Sequence, residues 1–184
     1  MATTSILRVF YLSYLSSPPC DRPIYRAIRR QKARRILELG IADGRRATRM
    51  IEVARRFHPA MATEFTGLDL FESRSATDGP GMTLKAAYRL LGRLDTRVRL
   101  IPGDPFSVLS KTANLLGHFD LVIVSARLDP ASLSKAWFYM PRLLHEGSQV
   151  FQEELLPDGP TQVRLVERQE VKALAAAARG RRAA

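Results

Sequence analysis

Five apolar segments with the length of strands alternate along the chain with segments in which apolar residues recur at helical spacing. The expected strands are Arg35–Gly40, Glu64–Phe71, Arg97–Pro102, Phe119–Ser125 and Ser148–Glu154. The expected helices are about Arg22–Lys32, Gly44–Phe57, Thr83–Leu94, Ser107–Leu116 and Ala131–Leu144. Strands and helices that alternate through short connections predict an open, mostly parallel α/β sheet with helices on both faces.

The length of the chain suits one hydrophobic core. A chain of 184 residues that is 46% hydrophobic is typical of a single globular domain. Within it, residues 1–33 are expected to form an apolar segment and a basic helix, and residues 34–184 the α/β domain itself. After Glu154 there is one more strand-like segment, Thr161–Arg168, and a helical tail, so we expect a sheet of about six strands.

The charge of the chain permits a nucleic-acid partner but does not identify one. The formal net charge is +11. Surfaces that bind RNA usually combine clustered cations with exposed aromatic side chains, yet aromatic residues make up 8% of this chain and lie mostly in apolar runs. The densest cationic stretch, Arg22–Arg35, is therefore interpreted as the solvated face of a helix, with phosphate contact as the alternative.

Cysteine content and apolar runs bear on the compartment. The single cysteine, Cys20, excludes an intramolecular disulfide and a cysteine-based zinc site, which favours a reducing compartment. No apolar run approaches the ~20 residues that span a bilayer. Because Arg8 interrupts the apolar stretch Ser5–Leu15 and no basic segment precedes it, we expect it to dock on the mature protein as a lid or a homodimer interface. We predict a cytoplasmic protein with no membrane partner.

The most informative motif follows the first expected strand and reads Glu38-Leu-Gly40-Ile-Ala42-Asp-Gly44. Its small residues let the backbone pass close to a ligand and turn sharply into a helix, although the glycines could also simply shape a turn. A dinucleotide-binding loop would need G-x-G-x-x-G from Gly40, but Ala42 and Arg45 occupy the second and third glycine positions. NAD and NADP are therefore disfavoured as cofactors.

This motif is similar to the first motif of class I S-adenosylmethionine (SAM)-dependent methyltransferases, E/D-x-G-x-x-x-G. The resemblance covers about residues 34–154 and implies a Rossmann-like fold, here trimmed at its C-terminal hairpin, with SAM as the cofactor. It implies that Glu38 supports the loop or reaches the cofactor amine. It also implies that Gly40, Ala42 and Gly44 approach the cofactor.

Further motifs fall where that family places them. Asp69, at the end of the second strand, resembles the acid that accepts both ribose hydroxyls. Asp104, after the third strand, resembles the acid that meets the adenine amino group, and Ser125 ends the fourth strand, whose end faces the reactive methyl. The alternative for Asp69 and Asp104 is capping of the next helix or turn.

Metal dependence is a separate question. Many cation-dependent members of that family carry an aspartate at the end of the fourth strand, where this chain has Ser125, and an acidic pair after the fifth, where it has Glu153 and Glu154. With Asp129 these glutamates could form an oxygen-rich Mg²⁺ site, but one ligand is missing, and we do not expect Mg²⁺. The run Phe65–Glu72 is similar to one in sugar O-methyltransferases, which suggests the sugar or macrocin O-methyltransferase group.

The resemblance implies an enzyme that transfers a methyl group from SAM to a small molecule or a sugar oxygen. No catalytic residue is assigned, because methyl transfer depends mainly on orientation and needs at most a modest base. The missing Asn/Asp-Pro-Pro-Tyr/Phe motif argues against methylation of planar amines. Two alternatives stay open: a degenerate methyltransferase fold that acts as a binding or partner module for RNA or protein, and an NAD-dependent enzyme.

Overall fold

The computed structural model describes residues 4–59, 61–75, 78–79, 81–156 and 161–183. Its helices are α1 (Ile6–Tyr14), α2 (Arg22–Gln31), α3 (Arg45–Arg55), α4 (Leu84–Leu91), α5 (Pro105–Leu116), α6 (Pro130–Ala136) and α7 (Arg168–Ala183). Its strands are β1 (Arg35–Leu39), β2 (Glu64–Asp69), β3 (Arg97–Pro102), β4 (Phe119–Val124), β5 (Leu144–Glu154) and β6 (Gln162–Val166). The predicted alternation of strands and helices is confirmed.

The strands form one six-stranded sheet in the order β3-β2-β1-β4-β5-β6. Strands β1 to β5 run parallel, and β6 pairs with β5 in the antiparallel direction. The predicted open, mostly parallel sheet is therefore confirmed. The order of the strands reverses between β1 and β4, and such a switch point leaves a crevice at the carboxyl ends of the strands, where open α/β sheets bind ligands.

Helices cover both faces of the sheet because alternate residues of a strand point to opposite sides. Ile36 of β1 packs into one core with residues of α1 to α4, whereas Leu37 and Leu39 pack into a second core with residues of α5, α6 and α7. All three side chains are fully buried. The central strand is thus held from both sides, which fixes the position of the loop that leaves it.

The fifth strand begins earlier than the sequence predicts, at Leu144 rather than Ser148. The Ser148 hydroxyl donates a hydrogen bond to the carbonyl oxygen of Phe119 at 2.7 Å and accepts one from the backbone N–H of His145 at 2.8 Å. These two bonds tie the residues before Ser148 to β4 and keep them extended.

The helix expected over about Ala131–Leu144 is in fact two elements. α6 ends at Ala136, and the chain continues as a 3₁₀ helix over Trp137–Leu143. Pro141 lies inside that second element, and a proline ring inside an α-helix clashes with the carbonyl group four residues before it, which disfavours one continuous α-helix over the whole stretch.

The apolar stretch before α2 is helical. The Ser5 side chain accepts a hydrogen bond from the backbone N–H of Leu7 at 3.2 Å and caps the start of α1. Val9 and Leu12 are buried in the core shared with α2 and α3, so one side of the helix is docked on the protein. Within the described ranges, no helix has both the length and the apolar composition that crossing a membrane requires.

Candidate functional site

The carboxyl ends of β1 to β4 surround a narrow cleft at the switch point of the sheet. Its cavity measures about 40 Å³, which is room for a few water molecules. The residues predicted from the sequence that line it are Gly40, Ala42, Asp69, Asp104 and Ser125. Its other walls include Leu70, Arg74, Asp78, Arg127, Leu128 and Asp129. Glu38 and Gly44 lie outside its lining.

The loop that leaves β1 is shaped by residues with positive φ. Gly40 has φ 88°, and a Cβ at that position would come 2.7 Å from Cβ of Ser125, so only glycine fits beside the end of β4. Ala42 has φ 54°, a conformation that alanine rarely adopts. Its backbone N–H donates to Oδ2 of Asp69 at 3.0 Å, which helps to hold the strained turn against β2.

Asp69 faces the cleft, but its carboxylate is already occupied. Nη2 of Arg74 donates to Oδ1 at 2.6 Å and to Oδ2 at 2.7 Å, and Nε donates to Oδ1 at 3.0 Å. The backbone N–H of Phe71 adds a further bond at 3.2 Å. The side chains of Arg74 and Asp69 are 13% and 3% exposed, so the pair is shielded from water. The oxygens expected to accept a sugar diol are therefore satisfied by the protein itself.

Arg74 is the important residue that the sequence analysis missed. It lies five residues after Asp69, and its Nη1 donates to the carbonyl oxygen of Asp78 at 2.8 Å. The guanidinium thus bridges β2 and the segment that follows it, and it forms one wall of the cleft. The sequence does contain an arginine five residues after the aspartate that ends β2. Whether its side chain returns to that aspartate depends on the path of the loop between them.

Asp104 lines the cleft and also caps α5. Its Oδ1 accepts hydrogen bonds from the backbone N–H groups of Phe106 and Ser107, both at 3.1 Å, and from the Ser132 hydroxyl. Partial burial works against ionisation, but the bonds from Ser107, Ser132 and Phe106 outweigh it and lower the pKa of Asp104. The capping alternative is therefore realised through Oδ1, and the same residue still borders the cleft.

Gly44 contributes to packing rather than to the cleft wall. It has φ 71° and precedes the first residue of α3. A Cβ there would come 2.8 Å from Leu90 and 3.0 Å from Met82. Because glycine has no side chain, the start of α3 can approach α4 closely.

Glu38 is fully buried beside the cleft and forms an ion pair with Arg46. Nε of Arg46 donates to Oε1 of Glu38 at 2.7 Å, while Nη1 lies 3.1 Å from Glu153 and 3.6 Å from Asp21. Oε2 of Glu38 is buried and has no hydrogen-bond partner. One guanidinium thus serves three carboxylates that come from different parts of the chain.

The shared guanidinium leaves these carboxylates short of positive charge. Burial raises the pKa of Glu38 to about 7, although the contact with Arg46 opposes the shift. Burial also raises the pKa of Asp21, and Arg46 again opposes it. The carboxylates in turn raise the pKa of Arg46, which stays charged. Glu38 therefore ties the end of β1 to the first turn of α3 through Arg46, and its side chain does not line the cleft.

The acids considered as metal ligands are engaged separately. Glu153 accepts bonds at 3.1 Å from the Ser125 hydroxyl and from the backbone N–H of Ala126, in addition to its contact with Arg46. Asp129 caps α6, and Glu154 pairs with Arg164. Among the residues that the structure describes, no group of three or more His, Cys, Asp or Glu side chains could hold a metal ion.

Comparisons with known proteins give a fold but no close relative. No protein-family model matches the chain, and no curated protein does. Among solved structures, the O-methyltransferase TomG from Streptomyces achromogenes, involved in tomaymycin synthesis and in complex with SAM, is 14% identical with a TM-score of 0.56. The alignment covers 98% of this chain and 79% of that one.

Two further structures are similar over nearly the whole chain. An O-methyltransferase from Bacillus cereus in complex with S-adenosylhomocysteine (SAH) is 16% identical with a TM-score of 0.56, over 98% of this chain and 80% of that one. A putative O-methyltransferase from Klebsiella pneumoniae is 18% identical with a TM-score of 0.51, over 97% and 74%. At these identities the likeness establishes the fold alone, and that fold is the Rossmann-like sheet of the class I SAM-dependent methyltransferases.

Proposed function

We propose that this chain is a SAM-dependent methyltransferase that acts on a small-molecule acceptor, with an oxygen as the methylated atom. The observation that carries the proposal is the cleft at the switch point, where the Gly40–Ala42 turn meets the carboxylate of Asp69. The two solved structures of this fold that are described as O-methyltransferases in complex with SAM or SAH support it.

The residues of the cleft fit an adenosyl ligand in chemistry, provided that Arg74 moves away from Asp69. Asp69 supplies two acceptor oxygens, which match a pair of neighbouring hydroxyls. The missing side chain at Gly40 keeps the end of β1 open beside Ser125. The guanidinium of Arg74 now bonds to both oxygens of Asp69, so a diol can bind there only if the guanidinium turns outward.

When bound, the cofactor supplies an electrophilic methyl group on a sulfonium sulfur. The residues of the chain position the bound ligand and shield it from water. Asp69 holds the diol after Arg74 has released the carboxylate, Asp104 also lines the cleft, and the Glu38–Arg46 pair ties the end of β1 to α3. In-line transfer gains most of its rate from such orientation. An acceptor hydroxyl needs only a modest base. Glu153 of β5 accepts a hydrogen bond from Ser125, which follows β4 and lines the cleft, but Glu153 itself is not among the residues that line it.

Calorimetry with SAM, SAH and NAD tests the proposal directly. We expect heat with both adenosyl-sulfur ligands and none with NAD. In an Arg74→Ala background, where no guanidinium has to be displaced, Asp69→Asn should weaken SAH binding by about tenfold or more, because the diol loses a charged acceptor. Asp43→Asn is the matched control, since Asp43 is exposed, carries the same side chain and bonds to Arg45.

The alternative of a degenerate binding module has its own outcome in the same experiment. If neither SAM nor SAH gives heat, while a single-stranded RNA probe binds in a salt-sensitive way, the proposal is wrong and the fold serves as a nucleic-acid module. Mass spectrometry of small molecules that co-purify with the protein gives an independent readout of the same question.

A further inference from the structure

One side of α1 is apolar and open to solvent. Its exposed residues are Ile6, Leu7, Phe10, Tyr11, Tyr14 and the following Leu15, which we call the α1 apolar face. Leu7 is 76% exposed and even the least exposed member, Tyr14, is 37% exposed. Their three- and four-residue spacing places them opposite the buried Val9 and Leu12.

The α1 apolar face carries no charge of its own. Arg8 borders it, with its guanidinium carbon 5.7 Å from the centre of the Tyr11 ring, and pairs with Glu52 of α3 at 3.0 Å. Phe10 and Tyr14 contact each other within the face, with ring centres 5.0 Å apart and ring planes tilted by 40°. A continuous apolar patch of this kind marks an interaction surface more often than a patch of scattered apolar residues does.

A row of arginines lies next to this face. Helix α2 contains no acidic residue, and its arginines 22, 26, 29 and 30 recur at helical spacing. Nη2 of Arg29 donates to the Tyr14 hydroxyl at 3.1 Å, and its guanidinium carbon lies 5.5 Å from the centre of that ring. Nε of Arg22 donates to the carbonyl oxygen of Ser16, just after α1, at 2.8 Å. The arginine row therefore runs beside the C-terminal end of the α1 apolar face.

We propose that the α1 apolar face docks on an anionic phospholipid surface. In this arrangement α1 lies in the plane of the interface with its apolar side among the acyl chains. The arginine row of α2 contacts the headgroup phosphates. An apolar strip bordered by cations is the combination that interfacial helices use, because burial of apolar area and attraction to anionic lipid then act together.

Charge complementarity decides between a lipid surface and a second copy of this chain. A two-fold contact through the α1 apolar face would bring two arginine rows together, and each copy carries a formal net charge of +11. An anionic leaflet supplies the opposite charge beside an apolar layer. The sequence-based expectation of no membrane partner rested on spanning segments, whereas a helix that lies on a surface needs no such length.

The test uses the whole protein and sedimentation with vesicles. We expect binding to vesicles of equal parts phosphatidylglycerol and phosphatidylcholine, a loss of binding as salt is raised, and little binding to phosphatidylcholine alone. Leu7→Glu should weaken binding by about tenfold or more. Leu115→Glu on α5 is the matched control, because Leu115 is 79% exposed and lies outside the α1 apolar face. Circular dichroism melts check that both variants fold.

The arginine row has a separate variant, Arg26→Gln with Arg29→Gln, which should weaken binding and reduce its dependence on salt. Equal sedimentation of Leu7→Glu and Leu115→Glu would overturn the proposal, as would an absence of binding to the anionic vesicles. A concentration-dependent dimer that Leu7→Glu abolishes, without vesicle binding, would assign the face to a second copy instead. None of its residues lines the cleft, so calorimetry with SAH separates this result from the proposed function.

Discussion

Replacing Arg74 with alanine tests whether the cleft must open before it binds an adenosyl ligand. In the structure the guanidinium makes contacts of 2.6, 2.7 and 3.0 Å with the carboxylate of Asp69. A ligand that places its hydroxyls on Asp69 has to break these contacts. The variant removes that cost in advance, while the backbone N–H groups of Ala42 and Phe71 still hold Asp69 in place.

The size of the effect follows from the strength of these bonds. Hydrogen bonds to a charged group contribute roughly 1.5–3 kcal/mol each. Most of this free energy is recovered when the displaced guanidinium is hydrated again. We therefore take the net cost of moving Arg74 as about 1.5 kcal/mol, which corresponds to about tenfold in affinity. Arg74→Ala should therefore bind SAH about tenfold more tightly than the wild type. Its unliganded form should lose about 2–4 kcal/mol of stability, because Asp69 loses its charged partner.

Calorimetry with SAH and thermal melts with and without SAH measure both quantities. Arg127→Ala is the control, because Arg127 also lines the cleft, but no hydrogen bond or ion pair in the structure joins it to Asp69. Weaker SAH binding in Arg74→Ala would show that the arginine holds the ligand. Unchanged binding would show that Arg74 does not stand in the way. Either result refutes the reasoning that the cleft is closed by Arg74.

Three further perturbations test contacts that hold the sheet and its connections together. Because burial raises the pKa of Glu38 to about 7 from 4.5, the folded state binds its proton more tightly than the unfolded state does. The free energy of unfolding should then fall as the pH rises from about 4.5 to about 7. Urea titrations of Glu38→Gln should show a fall that is about 1–3 kcal/mol smaller than in the wild type. The same pH dependence in both proteins would contradict this. Gly44→Ala should cost about 1–3 kcal/mol in thermal melts, whereas Gly92→Ala, with nothing within 4 Å of its Cβ, should be near neutral; similar melting temperatures would contradict the packing role. Asp120→Asn should cost about 1–2 kcal/mol at neutral pH, since its Oδ2 accepts bonds from two backbone N–H groups at 2.7 and 2.8 Å, and an unchanged urea midpoint would show that these bonds are dispensable.

The fold was largely predictable because its signals are local. The apolar run Phe119–Ser125 has the composition of a strand buried on both faces, and it forms β4, which is one of the two central strands of the sheet. The predicted strand Arg97–Pro102 coincides with β3. One missed boundary has its cause in a contact between elements. The early start of β5 depends on bonds from Ser148 to another strand, which no local pattern encodes.

The position of the candidate site was predictable from the sequence, but the side chains that already bond to its carboxylates were not. Strand-end residues such as Gly40 and Asp69 meet at the switch point because parallel strands end at the same edge of the sheet. Which partner satisfies a buried carboxylate depends on side chains that arrive from elsewhere. Arg74 reaches back to Asp69 over five residues, and Arg46 reaches Glu38 over eight. The family resemblance implies that Asp69 accepts the ribose hydroxyls and that Glu38 either supports the loop or reaches the cofactor amine, whereas the folded chain supplies both acids with an arginine.

Arg46 forms ion pairs with Asp21, Glu38 and Glu153, and this cluster links the segment before α2 to the sheet. Asp21 stands immediately before α2, and it shares the Arg46 guanidinium with Glu153, which in turn binds Ser125 at the mouth of the cleft. A shift of the segment that carries α1 and α2 would redistribute that guanidinium between the acids and loosen or tighten the end of β4. Through linkage, contact at the N-terminal surface and ligand uptake at the cleft would then influence each other by the same free energy in both directions.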